Sequence, residues 1–263
     1  MRSRSKTSEI EAELRRRIET RIYPPGGRLP RFSDLRAEFG VAKGTVDVVL
    51  ARLEAAGLLI RIQGSGLYVR DRVVVERHLL DDVLTEFRLA VTGRASEAGL
   101  FEIVTGHDVV VDVAYEQQPA SDRVAAMLHL EPGTPVLQRT FRYLLTGVSP
   151  AAPHQIAYGW MALDLAERAG LTDPSVERKG VGSMAQLIGA GVELVTAKRR
   201  IESRMPTLAE STELAIPPGT PVFELHRCLW QLAPPGPVEY GIQVIPADQV
   251  VWLVDIDLRG VQL

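Results

Sequence analysis

Lys43-Gly44-Thr45-Val46-Asp47 places a cation, a hydroxyl, an acid and a residue without a side chain in one short run. At the exposed start of a helix, such groups can donate to phosphate oxygens or reach base-pair edges in the major groove. Downstream, Gln63-Gly64-Ser65-Gly66 supplies a permissive hairpin tip. This is the chemistry of recognition rather than bond breaking. The five histidines, at 78, 107, 129, 154 and 226, form no i,i+4 metal pair, and Cys228 is the single cysteine. There is no nucleophile elbow and no phosphate-cradling glycine loop. No catalytic group, metal or cofactor is expected.

Those residues need a compact scaffold. Helical periodicity predicts a first helix over 8–21, opened by a Ser8/Glu11 capping box and stopped at Tyr23-Pro24-Pro25-Gly26-Gly27. A second helix spans 34–39, with Gly40 as its exit, and a third spans 43–56, burying Val46, Val49, Leu50 and Leu53. Residues 58–61 and 67–70 alternate across the glycine tip as a hairpin. The chain of 263 residues carries a net charge of −3, yet residues 1–72 hold 15 Lys/Arg against 9 Asp/Glu. A basic module fused to an acidic remainder fits localised contact with DNA. No run approaches the roughly eighteen apolar residues of a membrane span. The amino terminus, MRSRSKTSE, lacks the apolar core of a signal peptide, so a soluble, cytoplasmic chain is expected.

Beyond residue 72 the pattern changes. Residues 79–89 read as an amphipathic helix with Leu80, Val83, Leu84, Phe87 and Leu89 as its apolar set, bridging domains or joining a dimer contact. A strand is expected over 108–118, a Ser121-capped helix to Leu128, and strands over 136–145 and 155–160 around a loop at 147–153. A short helix follows over 161–169. Glu131-Pro132-Gly133-Thr134-Pro135-Val136-Leu137 nearly recurs as Pro217-Pro218-Gly219-Thr220-Pro221-Val222-Phe223, and each copy opens a strand that turns into another, the second over 238–245. Two similar strand-helix-hairpin units around one sheet would leave a cleft for a small ligand. Tyr158 and Trp160 share a strand face and either line that cleft or fill the core. His154 and Gln155 stand beside the loop, within reach of a ligand.

Residues 8–70 resemble the winged-helix domain of the GntR family of bacterial transcriptional regulators. The carriers are Leu29-Pro30, Leu35, Phe39-Gly40-Val41, Thr45-Val46, Leu53, Ala56-Gly57-Leu58 and Gln63-Gly64-Ser65-Gly66 through Val69. The resemblance implies DNA contacts from Arg31, Ser33, Arg36, Lys43, Gly44, Thr45, Asp47, Gly64, Ser65 and Gly66. Departures stand beside the matches. Ser33 replaces a common arginine, Ala42 a capping serine, and Asp47 an arginine that commonly reaches phosphate. Losing the cap should cost about 1 kcal/mol of local stability. An altered operator or a weakened affinity follows.

Residues 90–258 resemble the UTRA ligand-sensing domain of the HutC-type branch, whose fold is that of chorismate lyase. The carriers are Pro132-Gly133, Arg139, Trp160, Pro218-Gly219-Thr220-Pro221-Val222-Phe223, Arg227, Val238-Glu239-Tyr240 and Asp248. The resemblance implies effector contacts from Arg139 and Glu239, with Arg142, Tyr158 and Trp160 as further candidates. A carboxylate facing Arg139 could sort zwitterionic or amide-bearing ligands from simple anions. The family often has a second arginine two residues after the first; Phe141 stands there, and Arg142 falls on the opposite face of a regular strand. The expected fold is α+β: a winged helix-turn-helix over 1–72, a bridging segment over 73–89, and over 90–263 an antiparallel sheet with helices. The expected function is a ligand-responsive regulator, a repressor whose homodimer binds an inverted-repeat DNA operator and a small-molecule effector. Two alternatives stay open: a DNA-independent sensory or interaction module, and a lyase-like enzyme.

Overall fold

The computed structural model describes residues 6–62, 64–71, 73–78, 81–93, 99–146, 152–177, 182–217 and 219–255. Gln63 of the hairpin tip, Leu80, Pro218 and most of the 147–153 loop lie outside the described residues. The chain divides into two compact units. The first is built on residues 1–73 and also includes 205–221; the second holds most of the remainder.

In the first unit, α1 (Lys6–Glu19), α2 (Phe32–Phe39) and α3 (Lys43–Ala55) precede the hairpin β1 (Leu59–Ile62) and β2 (Gly66–Val69). Ile10 and Leu14 of α1 meet Leu35 of α2 and the Val46, Val49, Leu50, Leu53 stripe of α3 in one apolar core, closed by Leu59 and Val69 of the hairpin. The i, i+3, i+4, i+7 spacing of the α3 set puts all four on one side of the helix and leaves its first turn outside. α1 begins at Lys6, so Ser8 lies within its first turn and not at the expected cap. α2 begins two residues earlier than expected, because Asp34 reaches back to accept from the Arg31 backbone N–H at 3.2 Å. Gly40 ends α2 at φ 59, ψ 43, a left-handed conformation that costs glycine little. Ala42 takes the N-cap position of α3 with extended backbone and no side-chain hydrogen bond.

The second unit opens with β3 (Val75–His78), α4 (Asp81–Thr92) and α5 (Leu100–Thr105), then β4 (Val109–Pro119), α6 (Asp122–Leu128), β5 (Pro135–Leu145) and β6 (Ala152–Ala162). After α7 (Leu163–Arg168), a 3-10 turn (Pro174–Val176) and α8 (Gly182–Gly189) come β7 (Leu194–Arg204), α9 (Leu208–Glu213), β8 (Val222–Gln231), β9 (Gly236–Pro246) and β10 (Val250–Leu253). By contact, α9 belongs with the first unit. Six strands form a sheet in the order β4-β5-β6-β9-β8-β7, while β3 and β10 make a separate parallel ladder. The near-repeat thus becomes two three-stranded halves joined at β6 and β9. Ser121 caps α6 as expected, accepting from Val124 N–H at 3.3 Å.

α4 departs from its expected polarity at four positions, while Val83 still packs against the core. Asp82 and Glu86 are buried, at 6 % and 4 % exposure, whereas Leu84 and Phe87 are 45 % and 38 % exposed. The two acids stand one turn apart on the same helix face. They turn inward because buried arginines of the sheet and of β3 require carboxylate partners. Residues 75–92, read from sequence mostly as a bridge, supply a strand and a helix to the second unit.

The uncapped start of α3 yields a direct expectation. Ala42→Ser should raise hydrogen-exchange protection of the first α3 amides by about 1 kcal/mol, since its hydroxyl can accept one of the orphan N–H groups. Gly44→Ala should add a similar amount, about 1 kcal/mol; a methyl group there meets nothing within 4 Å. Unchanged protection in both variants would remove the helix start as a weak point.

Candidate functional site

The outer surface of the first unit gathers most of the residues expected to meet DNA. Lys43, Gly44 and Asp47 are exposed at the start of α3, with Thr45 half-buried between them; Arg31, Ser33 and Arg36 are exposed along α2. Gly64 is exposed at the hairpin tip, and the half-buried Ser65 places its Oγ 2.5 Å from the Tyr68 hydroxyl. Arg31, Asp47 and Gly66 border one hollow of about 240 Å³, together with Arg28 and Arg61, which sequence reasoning passed over. Arg28 was hidden because its position depends on a bridge to Tyr68, far along the chain. Its guanidinium lies over Gly66, where a Cβ would come within 3.1 Å of Nε. Arg61 is held by Glu54 through two contacts of 3.1 Å. Asp47 therefore shares its hollow with three arginines, which offsets the repulsion its charge would otherwise exert on phosphate.

The second unit contains a cavity of about 440 Å³ on one face of the large sheet. Strand alternation explains the lining. Arg139, Phe141 and Tyr143 of β5, Gln155, Ala157 and Gly159 of β6, and Glu239, Gly241 and Gln243 of β9 all project to this side. Gly159 and Gly241 are direct partners across β6 and β9, so the centre of the sheet is bare floor. α4, α5 and α8 add Glu86, Phe101 and Ser183.

Two ionic clusters lie on this face. Glu239 accepts from Arg139 Nη2 at 2.8 Å, from Arg227 Nη2 at 2.6 Å and from Ser183 Oγ at 3.1 Å. Arg139 also donates to Glu177 at 2.9 Å, and Arg227 to Glu86 at 2.5 Å. Tyr115 donates to the same Glu177 oxygen at 2.5 Å. At the far side, Arg77 of β3 binds Asp82 at 2.6 Å, Gln155 at 3.0 Å and Gln243 at 3.2 Å. Gly182 lets α8 approach the first cluster, for a Cβ there would lie 2.7 Å from Glu86 Oε1. Burial pushes the Glu239 carboxyl upward, but the charges of Arg227 and Arg139 outweigh it and hold the group below the usual carboxylate range. Burial likewise works against the Arg139 cation, and Glu239 and Glu177 keep its pKa raised.

The structure brings Arg139 and Glu239 together and separates them from two other candidates. Arg142 projects from the opposite face of β5, 42 % exposed, with Asp112 3.6 Å away. Trp160 also lies on that face, stacked on Tyr158 and Tyr240 at 5.9 and 5.6 Å, and donates to Gln138 at 3.0 Å. The strict pleat of β5 and β6 is the reason. Tyr158 borders the cavity but shares the strand parity of Trp160. Gln155 lines the cavity; the buried His154 instead meets Phe101 edge-on, with ring centroids 5.4 Å apart. Sequence reasoning missed Arg77, Asp82, Glu86, Glu177 and Arg199. Only the Asp82/Glu86 pair carried a signal, its i,i+4 spacing. A group formed by Glu202, Glu224 and His226 has ligand atoms within 4.8 Å of one another. Arg123 and Arg204 both bind Glu224 there, so it reads as an ion-pair cluster.

A basic winged head and a separate unit enclosing a polar cavity define a ligand-responsive, DNA-binding transcriptional regulator. Residues 6–69 match the family described as "Bacterial regulatory proteins, gntR family", and residues 110–250 match the UTRA domain. The chain belongs to this family of GntR regulators with a UTRA domain. It is 26 % identical over 262 residues to an uncharacterized HTH-type transcriptional regulator of Streptomyces coelicolor, covering 95 % of this chain and 92 % of that one. It is 35 % identical over 105 residues to the mannosyl-D-glycerate transport/metabolism system repressor MngR of Escherichia coli, covering 38 % and 42 % of the two chains. The crystal structure of PhnF from Mycobacterium smegmatis shares the fold, with a TM-score of 0.53 at 18 % identity over 95 % of this chain and all of that one. Among the described residues, no helix is long and apolar enough to cross a membrane.

The buried His154 sets a pH dependence. Burial, assisted by the Arg77 charge, lowers its pKa to about 4 from 6.5. The unfolded chain therefore binds a proton first as pH falls, so stability is complete above pH 6.5 and declines toward pH 4. The loss amounts to about 3 kcal/mol. Denaturant unfolding across this window should show the decline, and His154→Phe should flatten it. A wild-type profile with no slope there would contradict the assignment.

Proposed function

We propose that this chain is a repressor acting as a homodimer in the cytoplasm, each protomer reading one half of an inverted repeat. The reading heads are the first units, with Lys43, Gly44, Thr45 and Asp47 of α3 entering the major groove. Arg31, Ser33, Arg36 and the tip residues Gly64, Ser65 and Gly66 contact the flanking backbone, with Arg28 and Arg61 beside them. The domain plan is a reading head over 1–72 and a sensing part over 90–263, with the intervening segment folded into the sensor. The cavity in the second unit holds the effector, Arg139 and Glu239 at its centre. Effector binding favours the state with lower operator affinity, which requires tighter binding of effector to that state.

The observation that carries this reading is the pairing, in one chain, of an exposed, arginine-flanked recognition helix with a cavity whose charges are locked in ion pairs. The same feature favours binding over catalysis. A general acid or base works best with a pKa near the working pH, and the charges of Arg227 and Arg139 hold Glu239 below the usual carboxylate range. Turnover therefore does not follow from this cavity, and a fold by itself assigns no chemistry.

Selection of duplexes from a random pool by the full chain should enrich an inverted repeat with half-site centres about one helical turn, or a multiple, apart. Lys43→Ala should weaken binding to all sequences and reduce the slope of log K against log salt by about one. No enrichment by a folded chain would overturn the regulator reading; an unchanged slope would remove Lys43 from the interface.

A further inference from the structure

We infer that the cavity of the second unit takes an elongated ligand with no net charge and an apolar flank, presenting a hydrogen-bond acceptor to Arg139 and a donor to Asp82. The inference rests on the reading of this cavity as the effector site.

Two buried atoms point to the ends of that ligand. Arg139 is 2 % exposed and Asp82 6 % exposed, yet Arg139 Nε and Asp82 Oδ1 have no hydrogen-bond partner among the described residues. Both residues line the cavity. An unsatisfied buried donor or acceptor costs about 1–3 kcal/mol, and a bound group that satisfies both recovers it. The two atoms demand opposite partners, since guanidinium only donates and an ionised carboxylate only accepts.

The remaining lining sets the charge and shape. Four arginines line the cavity, at 77, 139, 199 and 227, and four acids oppose them, Asp82, Glu86, Glu177 and Glu239. Arg139, Arg227 and Arg77 already have carboxylate partners. An added anion or cation would therefore be buried without a compensating charge, which is unfavourable in such a site. A neutral molecule or a zwitterion keeps the balance. The polar ends stand apart along β6. Gly159 lies beside Arg139, while Gln155 binds the arginine that pairs with Asp82. Gln155 and Gly159 are four residues of strand apart, about 13 Å. Between them the floor is Ala157, Gly159 and Gly241, without bulk, and the flank is Val109, Val113 and Phe141. An apolar body fits that stretch.

Four eight-carbon probes separate charge from length: 8-aminooctanoate, 1,8-octanediol, octanoate and octylamine. Each is titrated calorimetrically into the full-length chain. Both net-neutral probes should bind, and 8-aminooctanoate should bind about tenfold or more tightly than octanoate or octylamine. Asp82→Asn leaves the lining one positive charge in excess and should shift preference toward octanoate. Gly159→Ala is a gentler variant, because its methyl group meets Arg139 only at 3.8 and 3.9 Å. It should fold normally and weaken 8-aminooctanoate several-fold by raising the floor. Octanoate as the tightest ligand of the wild type overturns the inference. So does failure of both net-neutral probes to bind at millimolar concentration. If the expected order appears while no operator is enriched, the regulator reading fails and the cavity inference stands. If an operator is enriched but octanoate binds best, only the cavity inference fails.

Discussion

Glu239 sits between Arg139 and Arg227 in the interior of the second unit, and ionised groups so far from water persist only while each keeps its partners. The surrounding elements are arranged to meet that demand. Glu177 and Glu86 take the outer sides of the two arginines, Ser183 completes the carboxylate, and α4 turns its acids rather than its leucines toward the sheet. Removing one member strands another: breaking a buried pair typically costs about 3–5 kcal/mol. The network gives the cavity walls a fixed charge pattern, and it ties α4, α8 and the strands into one cooperative body.

The reading head follows a different economy of forces. Its stability comes from apolar burial among three short helices and a hairpin, and its functional groups lie almost entirely in water. Exposed arginines and a lysine contribute little to folding, so they remain available for phosphate. The weak points fall in the same place: α3 starts with an uncapped alanine and carries a glycine in its first turn. A helix start with few internal hydrogen bonds keeps orphan N–H groups free for an anion.

Much of the head was legible in sequence because its elements are local. Apolar spacing located α3 to within a residue, and Gly40 marked the end of α2. The strands β4, β5, β6 and β9 were likewise visible through alternation and turn residues, and the Pro-Gly-Thr-Pro repeat anticipated the two halves of the sheet. What escaped were features fixed by distant partners. Leu84 and Phe87 form a good apolar stripe, yet Asp82 and Glu86 won the inward face because Arg77 and Arg227 were waiting there. Arg77, Glu177 and Arg199 stand in segments with no motif, and only the folded sheet brings them to the cavity. Strand parity settles the two remaining positions: Arg142 lies on the face opposite the cavity, as a regular strand requires, and Trp160 takes the packed alternative of the two left open for it.

The two halves of the sheet are not equivalent in detail. Aligning the repeats places Leu225 opposite Arg139, and Arg227 opposite Phe141. Glycines meet at the seam, one from each half, but the charges beside them are out of step. A duplicated scaffold with matching charges would offer a guest two equivalent poses, related by its own pseudo-axis. Here the pseudo-symmetry is broken at the side chains and kept in the backbone. A molecule lying across the seam therefore has a head and a tail imposed on it, and reversing it would set its acceptor against a carboxylate.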